Sequence, residues 1–308
     1  MIQLLFGDRK AWPDYEAPLT RALSASGLGV AVGTEAAPET VDYIVTSPDG
    51  WITDFAPYCR AKAVFNLWAG VEEITGNSTL TQPLVRMVEP GLREGMVEWV
   101  TGHVLRHHLG LDRYIKRTVP HWDYAAPPLA RNRTVGILGL GELGAASAQA
   151  LAGLGFHVIG WSRTKKDISG VETHGGPTGL DAVLGASDIV VLLLPATPST
   201  ENTLDAPAFS RMRKGVVVLN PGRGTLIDDD ALLGALETGQ VAHATLDVFR
   251  EEPLPPAHPF WAHPHVTITP HVASATRPGT ASEAIAENIR RGESGQAFLG
   301  LVDRGAGY

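Results

Sequence analysis

Three glycines carry the first readable chemistry in this chain. The run TVGILGLGELG at 134 to 144 leads an apolar segment directly into Gly139-x-Gly141-x-x-Gly144, and an alanine-rich helical stretch follows. A pyrophosphate needs backbone N–H groups at close range and a helix N-terminus facing its charge. Gly139 permits the tight strand-to-helix turn, Gly141 lets the backbone approach the phosphates, and Gly144 lets the helix pack close to the strand. With 34 glycines in 308 residues such a spacing alone is weak. A second apolar run, FHVIGW, follows about one helix later, and strand, turn, helix and strand together make a βαβ unit with a dinucleotide site.

The end of that second strand selects between the two nicotinamide dinucleotides. An NAD site places an acid there to accept hydrogen bonds from the ribose 2′-OH. This chain instead reads Trp161-Ser162-Arg163-Thr164-Lys165-Lys166, a hydroxyl and three cations. Arg163 offers a planar fork and Lys165 a mobile point charge, both suited to a 2′-phosphate. The alternative is a solvated turn whose cations touch nothing; the position after the glycine motif favours NADPH over NADH.

Positioning such a site takes two domains, the usual number for 308 residues. Residues 1 to about 93 alternate short strands and helices: IQLLF, a helix around Pro18 to Ala25, GVAVG, VDYIVTS, then AKAVFNLWAG. From Glu94 a long helical segment runs through IKR, with no proline until Pro120. The near-continuous apolar strands TVGILG, HVIGW, DIVVLLLP, GVVVLN, ATLDVF and VTITPH then read as a parallel sheet buried on both faces. The last helical stretch, ATRPGTASEAIAENIRRGESGQAFLG, is expected to fold back on the first domain.

Composition narrows the partners. Lys and Arg total 25 against 33 Asp and Glu, a formal charge of −8, and the cations are scattered, which excludes a nucleic-acid surface. No segment reaches the ~18 apolar residues of a membrane span, and MIQLLFGDRK is too short and too early charged for a secretory signal. Cys59, the only cysteine, excludes an internal disulfide and is read as a buried apolar residue. A cytoplasmic protein is expected.

Three further segments, NPGRGTLIDDDAL at 220 to 232, LDVFREEPLP at 246 to 255 and TPHVAS at 269 to 274, together with the glycine motif, resemble the D-2-hydroxyacid dehydrogenase family over nearly the whole chain. The WSRTKK turn, the NLWAGVEEI segment and the tryptophan after SPDG resemble its glyoxylate and hydroxypyruvate reductase branch. The resemblance implies Arg223, Glu252 and His271 as catalytic residues. Hydride delivered to a keto carbon leaves an alkoxide that needs a proton; His271 can give it, and the Glu252 carboxylate favours the imidazolium. Arg223 can polarise the ketone and attract the substrate carboxylate without losing its charge. The resemblance also puts the amides of Ala69, Gly70 and Val71 on that carboxylate, Asp247 on the nicotinamide carboxamide, and Glu142, Leu143, Leu194, Pro195 and Pro221 along the cofactor. Trp51 and Trp68 are candidates to shape the pocket, and Arg86 is a candidate for a second substrate contact.

Other clusters carry less. His103 and His107 are four apart on the long helix, but no glutamate follows His103 as in a zincin, so no metal is expected. His258, His263 and His265 read as exposed in a proline-rich loop. Asp228-Asp229-Asp230 reads as the cap of a helix starting near Ala231.

The expectation is therefore a two-domain α/β reductase. Residues 99–271 form a Rossmann dinucleotide-binding domain, and 1–98 with 272–308 a smaller, flavodoxin-like substrate domain, with the active cleft between them. The resemblance implies reduction of small 2-keto acids, glyoxylate and hydroxypyruvate, to (R)-2-hydroxy acids by a homodimer. Bulkier acids such as phenylpyruvate are the alternative substrates. From another class, a nucleotide-sensing binding protein is the alternative, because related corepressors keep the same fold; formate oxidation is disfavoured because formate enzymes of the family place glutamine where Glu252 stands.

Overall fold

A computed structural model describes residues 1–120, 122 and 124–305. In chain order the strands are β1 (Ile2–Phe6), β2 (Val30–Gly33), β3 (Tyr43–Thr46), β4 (Ala63–Asn66), β5 (Leu84–Val85), β6 (Thr134–Leu138), β7 (His157–Ser162), β8 (Glu172–Gly175), β9 (Ile189–Leu192), β10 (Val216–Asn220), β11 (Val241–Leu246) and β12 (Val266–Ile268). The helices are α1 (Trp12–Ala25), α2 (Glu72–Thr75), α3 (Pro90–Leu109), α4 (Asp112–Ile115), α5 (Glu142–Gly153), α6 (Gly176–Ala186), α7 (Ala206–Arg211), α8 (Asp229–Glu237) and α9 (Pro278–Glu293). The chain divides into two compact units, Met1–Leu92 with Ala275–Tyr308, and Arg93–Ser274; residues 306–308 lie outside the described residues.

The first unit is built on a parallel sheet in the order β2-β1-β3-β4-β5, the flavodoxin-like arrangement. Its strands are almost wholly apolar because both faces are covered. One face packs Leu4, Phe6, Tyr43, Val45 and Phe65 with Leu19 of α1 and with Ala281, Ile285 and Ile289 of α9. The C-terminal helix thus folds back onto the N-terminal strands, as its amphipathic sequence implies. The opposite face packs Leu5, Ile44 and Val64 with Phe55, Ile74 and Leu80.

The second unit carries a parallel sheet in the order β12-β11-β10-β9-β6-β7-β8. The order reverses between β9 and β6, the switch point at which open α/β sheets collect ligands beyond their carboxyl ends. Val190, Leu192, Val218 and Leu246 face one core, and Val135, Ile137, Val191 and Leu219 face the other. Asp228 caps α8, accepting the N–H of Ala231 at 2.9 Å.

Several boundaries differ from the sequence reading. Helix α1 starts at Trp12 rather than Pro18: Pro13 takes the first turn, where its missing N–H costs nothing, and Asp8 holds the start through the amides of Ala11 and Trp12 (2.9 and 3.1 Å). The long helix stops at Leu109, because Gly110 adopts a left-handed φ of 65° and Leu111 N–H returns to Arg106 O (3.0 Å), so α4 is a separate turn. The C-terminal helix ends at Glu293, followed by Gly295 at φ 67°. Cys59 is exposed, and His258 is half-buried against Asp229 rather than exposed.

Beneath α3 the second unit buries imidazoles. His107 Nε2 lies 2.9 Å from Thr245 Oγ1, His243 Nε2 lies 2.8 Å from Thr267 Oγ1, and the two rings are 4.9 Å apart. Burial, then His243 and Arg106, push His107 down to about 3; burial, then Arg106, pushes His243 down to about 4, with Asp112 opposing in both. His103, Lys116 and His265 are the other titratable neighbours. Both groups gain protons on unfolding, so their contribution is complete above the free imidazole value near ~6.5 and is lost as pH falls from there toward 4. Thermal melts from pH 7.5 to 4.5 are expected to show Tm falling through this window, with a flatter pH dependence in His243→Gln; an equal slope in both proteins contradicts the assignment.

Candidate active site

Every sequence-derived candidate of the second unit lies at the carboxyl edge of the seven-stranded sheet. Gly139 to Gly144 follow β6, Ser162 ends β7 with Arg163 to Lys165 after it, Leu194 and Pro195 follow β9, Pro221 and Arg223 follow β10, Asp247 and Glu252 follow β11, and His271 follows β12. The glycine turn and the cations thus stand on one side of the switch point, and Arg223, Glu252 and His271 on the other.

Two glycines are fixed by sterics. Gly139 has φ 105°, and a Cβ on it would lie 2.4 Å from the Leu193 carbonyl oxygen; a Cβ on Gly144 would lie 1.8 Å from Gly139 O. Gly141 differs, since the protein places nothing within 4 Å of a Cβ built there. What demands glycine at 141 is therefore not internal packing, which fits a cradle for a phosphate group at the start of α5. Glu142 is exposed and Leu143 partly buried in the first turn of that helix. At the end of β7, the buried Ser162 hydroxyl donates to Thr164 O (2.7 Å) and shapes the turn, on which Arg163, Lys165 and Lys166 are exposed.

The reacting end is held by a chain of hydrogen bonds. His271 Nδ1 lies 2.6 Å from Glu252 Oε2. A carboxylate only accepts, so Nδ1 carries the hydrogen. The other Glu252 oxygen accepts the N–H of Phe249 at 2.8 Å. The His271 ring is half exposed, and its backbone is left-handed at φ 54°, uncommon for a residue with a side chain. Its amide donates to Asp247 O (2.8 Å). Asp247, 1% exposed, accepts from Thr269 Oγ1 (2.5 Å), Val272 N (2.9 Å) and Ala273 N (2.8 Å). Three of its roughly four lone-pair positions are thus used by the loop that presents His271.

Arg223 begins a 3-10 turn, Gly224–Leu226, with its Nη1 donating to Gly222 O (2.7 Å). Asn220, the last residue of β10 and 1% exposed, donates to Arg223 O (2.8 Å) and accepts from Gly222 N (3.1 Å). In the first unit Asn66 does the same at the end of β4: fully buried, it donates to Trp68 O (2.9 Å) and Gly70 O (2.7 Å). With those carbonyls bound inward, the segment Ala69-Gly70-Val71 takes a fixed course. Sequence reasoning missed both asparagines; the signal was a polar residue closing an otherwise apolar strand. Trp51, on the loop after β3, is 41% exposed, with the Arg9 guanidinium 5.2 Å above its ring. Trp68 is similarly exposed. Arg86 follows β5, its amide on Gly300 O (2.9 Å). His107 is half-buried with its ring beside His243, His103 lies with its ring 4.3 Å from Trp99, and among the described residues no cluster of three or more ligating side chains is placed to hold a metal.

A doubly wound sheet with a glycine turn at its switch point, and a histidine–carboxylate pair beyond the arginine turn, defines a nicotinamide-dependent dehydrogenase. The model of the D-isomer specific 2-hydroxyacid dehydrogenase NAD-binding domain matches residues 101–273, and the chain belongs to this family. It is 42% identical over 257 residues to glyoxylate/hydroxypyruvate reductase A of Serratia proteamaculans, covering 81% of this chain and 82% of that one. The corresponding protein of Yersinia enterocolitica is 41% identical over 255 residues, covering 80% and 82%. Among solved structures, a family member from Xanthobacter autotrophicus in complex with NADPH and MES superposes with a TM-score of 0.90 at 38% identity, covering 99% of each chain. An NADPH-dependent glyoxylate/hydroxypyruvate reductase from Sinorhizobium meliloti, bound to NADP and sulfate, gives 0.87 at 35% identity and full coverage of both chains. The chain falls in the glyoxylate/hydroxypyruvate reductase A branch of the family.

The two kinds of glycine separate experimentally. Gly144→Ala is expected to destabilise the second unit by about 1–3 kcal/mol or more, as overpacking does. Gly141→Ala should change stability by less than about 1 kcal/mol, yet weaken dinucleotide binding. Thermal melts paired with dinucleotide titrations check this, and equal Tm losses in the two variants contradict it.

Proposed function

We propose that the protein reduces glyoxylate to glycolate and hydroxypyruvate to the (R)-2-hydroxy acid with NADPH, His271 acting as general acid. The observation that carries this reading is the 2.6 Å contact between His271 Nδ1 and Glu252, set at the same sheet edge as the glycine turn. The Gly139–Gly144 turn would hold the pyrophosphate and Ser162, Arg163 and Lys165 the 2′-phosphate; when bound, the dinucleotide supplies the hydride.

His271 keeps Nδ1–H on Glu252 and gives the proton on Nε2 to the oxygen of the reduced carbonyl, so that one hydride and one proton convert the ketone to the alcohol. The Glu252 carboxylate, fixed by the Phe249 amide at 2.8 Å, accepts from Nδ1 and orients the ring. Arg223, always cationic, draws the carbonyl oxygen and the adjoining carboxylate. The amides at Ala69, Gly70 and Val71 are assigned to the substrate carboxylate, and Trp51 to the group beyond the keto carbon. On this reading the first unit is the substrate domain and the second the cofactor domain.

NADPH preference is supported by a hydroxyl rather than an acid at the end of β7 with three cations in the next four residues, and by the NADPH and NADP carried by the similar solved proteins. A homodimer is part of the same reading. The segment after α3 exposes Tyr114, Ile115, Val119, Trp122 and Tyr124, side chains that a subunit contact would cover. Among the described residues no helix is long and apolar enough to cross a membrane, and we assign the protein to the cytoplasm.

Initial rates of NADPH and NADH oxidation across 2-keto acids from glyoxylate to phenylpyruvate test the assignment. Fast turnover of the small acids with NADPH is expected; preference for bulky acids moves the substrate, and no turnover despite tight NADPH binding favours a nucleotide sensor. His271→Gln should lower kcat by ~10² or more with NADPH affinity nearly unchanged. Arg163→Ala should weaken NADPH and leave NADH almost unaffected, measured as separate Kd values; equal losses make the turn structural.

A further inference from the structure

Arg250 lies two residues before Glu252, on the loop that leaves β11. Its guanidinium does not reach into solvent for a single ion pair. Nη2 donates to Ile227 O (2.7 Å), to the Asn202 side-chain oxygen and, more weakly, to Thr225 O (3.4 Å), while Nε also meets Ile227 O at 3.2 Å. Two carboxylates stand further off, Glu201 at 3.5 Å and Asp229 at 3.9 Å. Thr225 and Ile227 belong to the turn and exit that follow Arg223. One side chain from the Glu252 loop therefore gathers carbonyls of the Arg223 turn, the multidentate pattern a planar guanidinium forms and an ammonium cannot.

The backbones of the two loops meet at the same place. A Cβ on Gly224 would lie 2.0 Å from Phe249 C and 2.4 Å from Arg250 N, so the residue after Arg223 rests directly on the Phe249–Arg250 peptide, which leads into the Glu252 loop. From there the linkage is continuous: the Phe249 amide holds one Glu252 oxygen at 2.8 Å, and the other lies 2.6 Å from His271 Nδ1. Asn202, itself left-handed at φ 50°, donates its amide to Thr225 O (2.9 Å) and offers its side-chain oxygen to Arg250.

We infer that Arg250 is a positioning residue that sets the spacing between Arg223 and the His271–Glu252 pair, by locking the turn after the arginine to the loop before the glutamate. This inference rests on the proposed roles of Arg223 and His271. If the spacing were free to relax, the cation that holds the keto acid and the imidazole that protonates it would no longer meet one substrate together, and displacements of about 1 Å can cost ~10²-fold in rate.

The test compares the parent with Arg250→Met, which keeps the aliphatic stem and removes every donor, and Arg250→Lys, which keeps the charge and loses the fork. For each, steady-state kinetics, the pH–rate profile, the Kd for NADPH, Tm, and the imidazole titration of His271 by NMR, assigned with His271→Gln, are measured. In Arg250→Met, kcat/KM for the keto acid should fall at least about tenfold, mostly in kcat. The His271 titration should move in the direction that Glu252→Gln moves it, and the NADPH Kd should stay within about twofold. Arg250→Lys should lie between Arg250→Met and the parent. Unchanged kcat and an unchanged His271 titration in Arg250→Met overturn the inference, as does a loss of Tm and NADPH affinity with kcat intact. If the parent itself turns over no keto acid, the proposed activity fails, and the His271 titration still decides whether Arg250 holds the pair.

Discussion

The buried carboxylate of Asp247 is the constraint on which the reacting end depends. A charge 1% exposed must be met by hydrogen bonds, and here it is met by a hydroxyl and two backbone amides of the loop beyond β12. Those donors come from residues on either side of His271, so satisfying the carboxylate and presenting the imidazole are a single folding event. The left-handed backbone of His271 is the cost of that path, held in place by its own amide on the Asp247 carbonyl. The aspartate also ends β11 with its amide on Asn220 O (3.0 Å), which connects the histidine loop to the strand that carries Arg223. Sheet, loop and turn are thereby joined before any ligand enters.

The two units solve one local problem in the same way. A parallel strand that ends at a ligand-binding edge leaves carbonyls and amides unpaired in the loop beyond it. Asn66 and Asn220 each place a buried amide under such a loop and bind carbonyls of residues two to four positions ahead. The loop backbone is then ordered by the strand end itself, not by distant packing, and the residues that follow, Ala69 to Val71 in one unit and Arg223 in the other, inherit a fixed course.

Much of this was legible in the amino-acid sequence, and the exceptions have physical reasons. Strands buried on both faces wrote themselves as apolar runs, so β1, β6 and β10 were readable within a residue, while the run DIVVLLLP carried β9 three residues past its end at Leu192. The edge strand β8 reads ETHG and β5 has two residues; neither has enough apolar length to register. The glycine motif was readable because two of its three positions are demanded by sterics that no other residue meets. His271, Glu252 and Arg223 had no local pattern of their own and came into view only through family resemblance. Arg250 was invisible for a different reason: its partners, Asn202, Thr225 and Ile227, lie 23 to 48 residues away and are mostly backbone atoms, which no residue type announces. Cys59 was misplaced because a lone cysteine is more often inside than out.

The dependence of the first unit on α9 has a consequence for synthesis. Ala281, Ile285 and Ile289 complete the core begun by Leu4, Phe6 and Tyr43, while the second unit is assembled entirely from residues encoded in between. At ~5–20 residues per second a ribosome needs about 10–40 s to pass from one segment of the first unit to the other. Throughout that interval the N-terminal strands lack the helix that covers one side of their sheet, and the inserted unit has its whole sequence available first. The nascent chain therefore finishes the unit it starts second before the one it starts first, and its early apolar strands are the surface a ribosome-associated chaperone would meet.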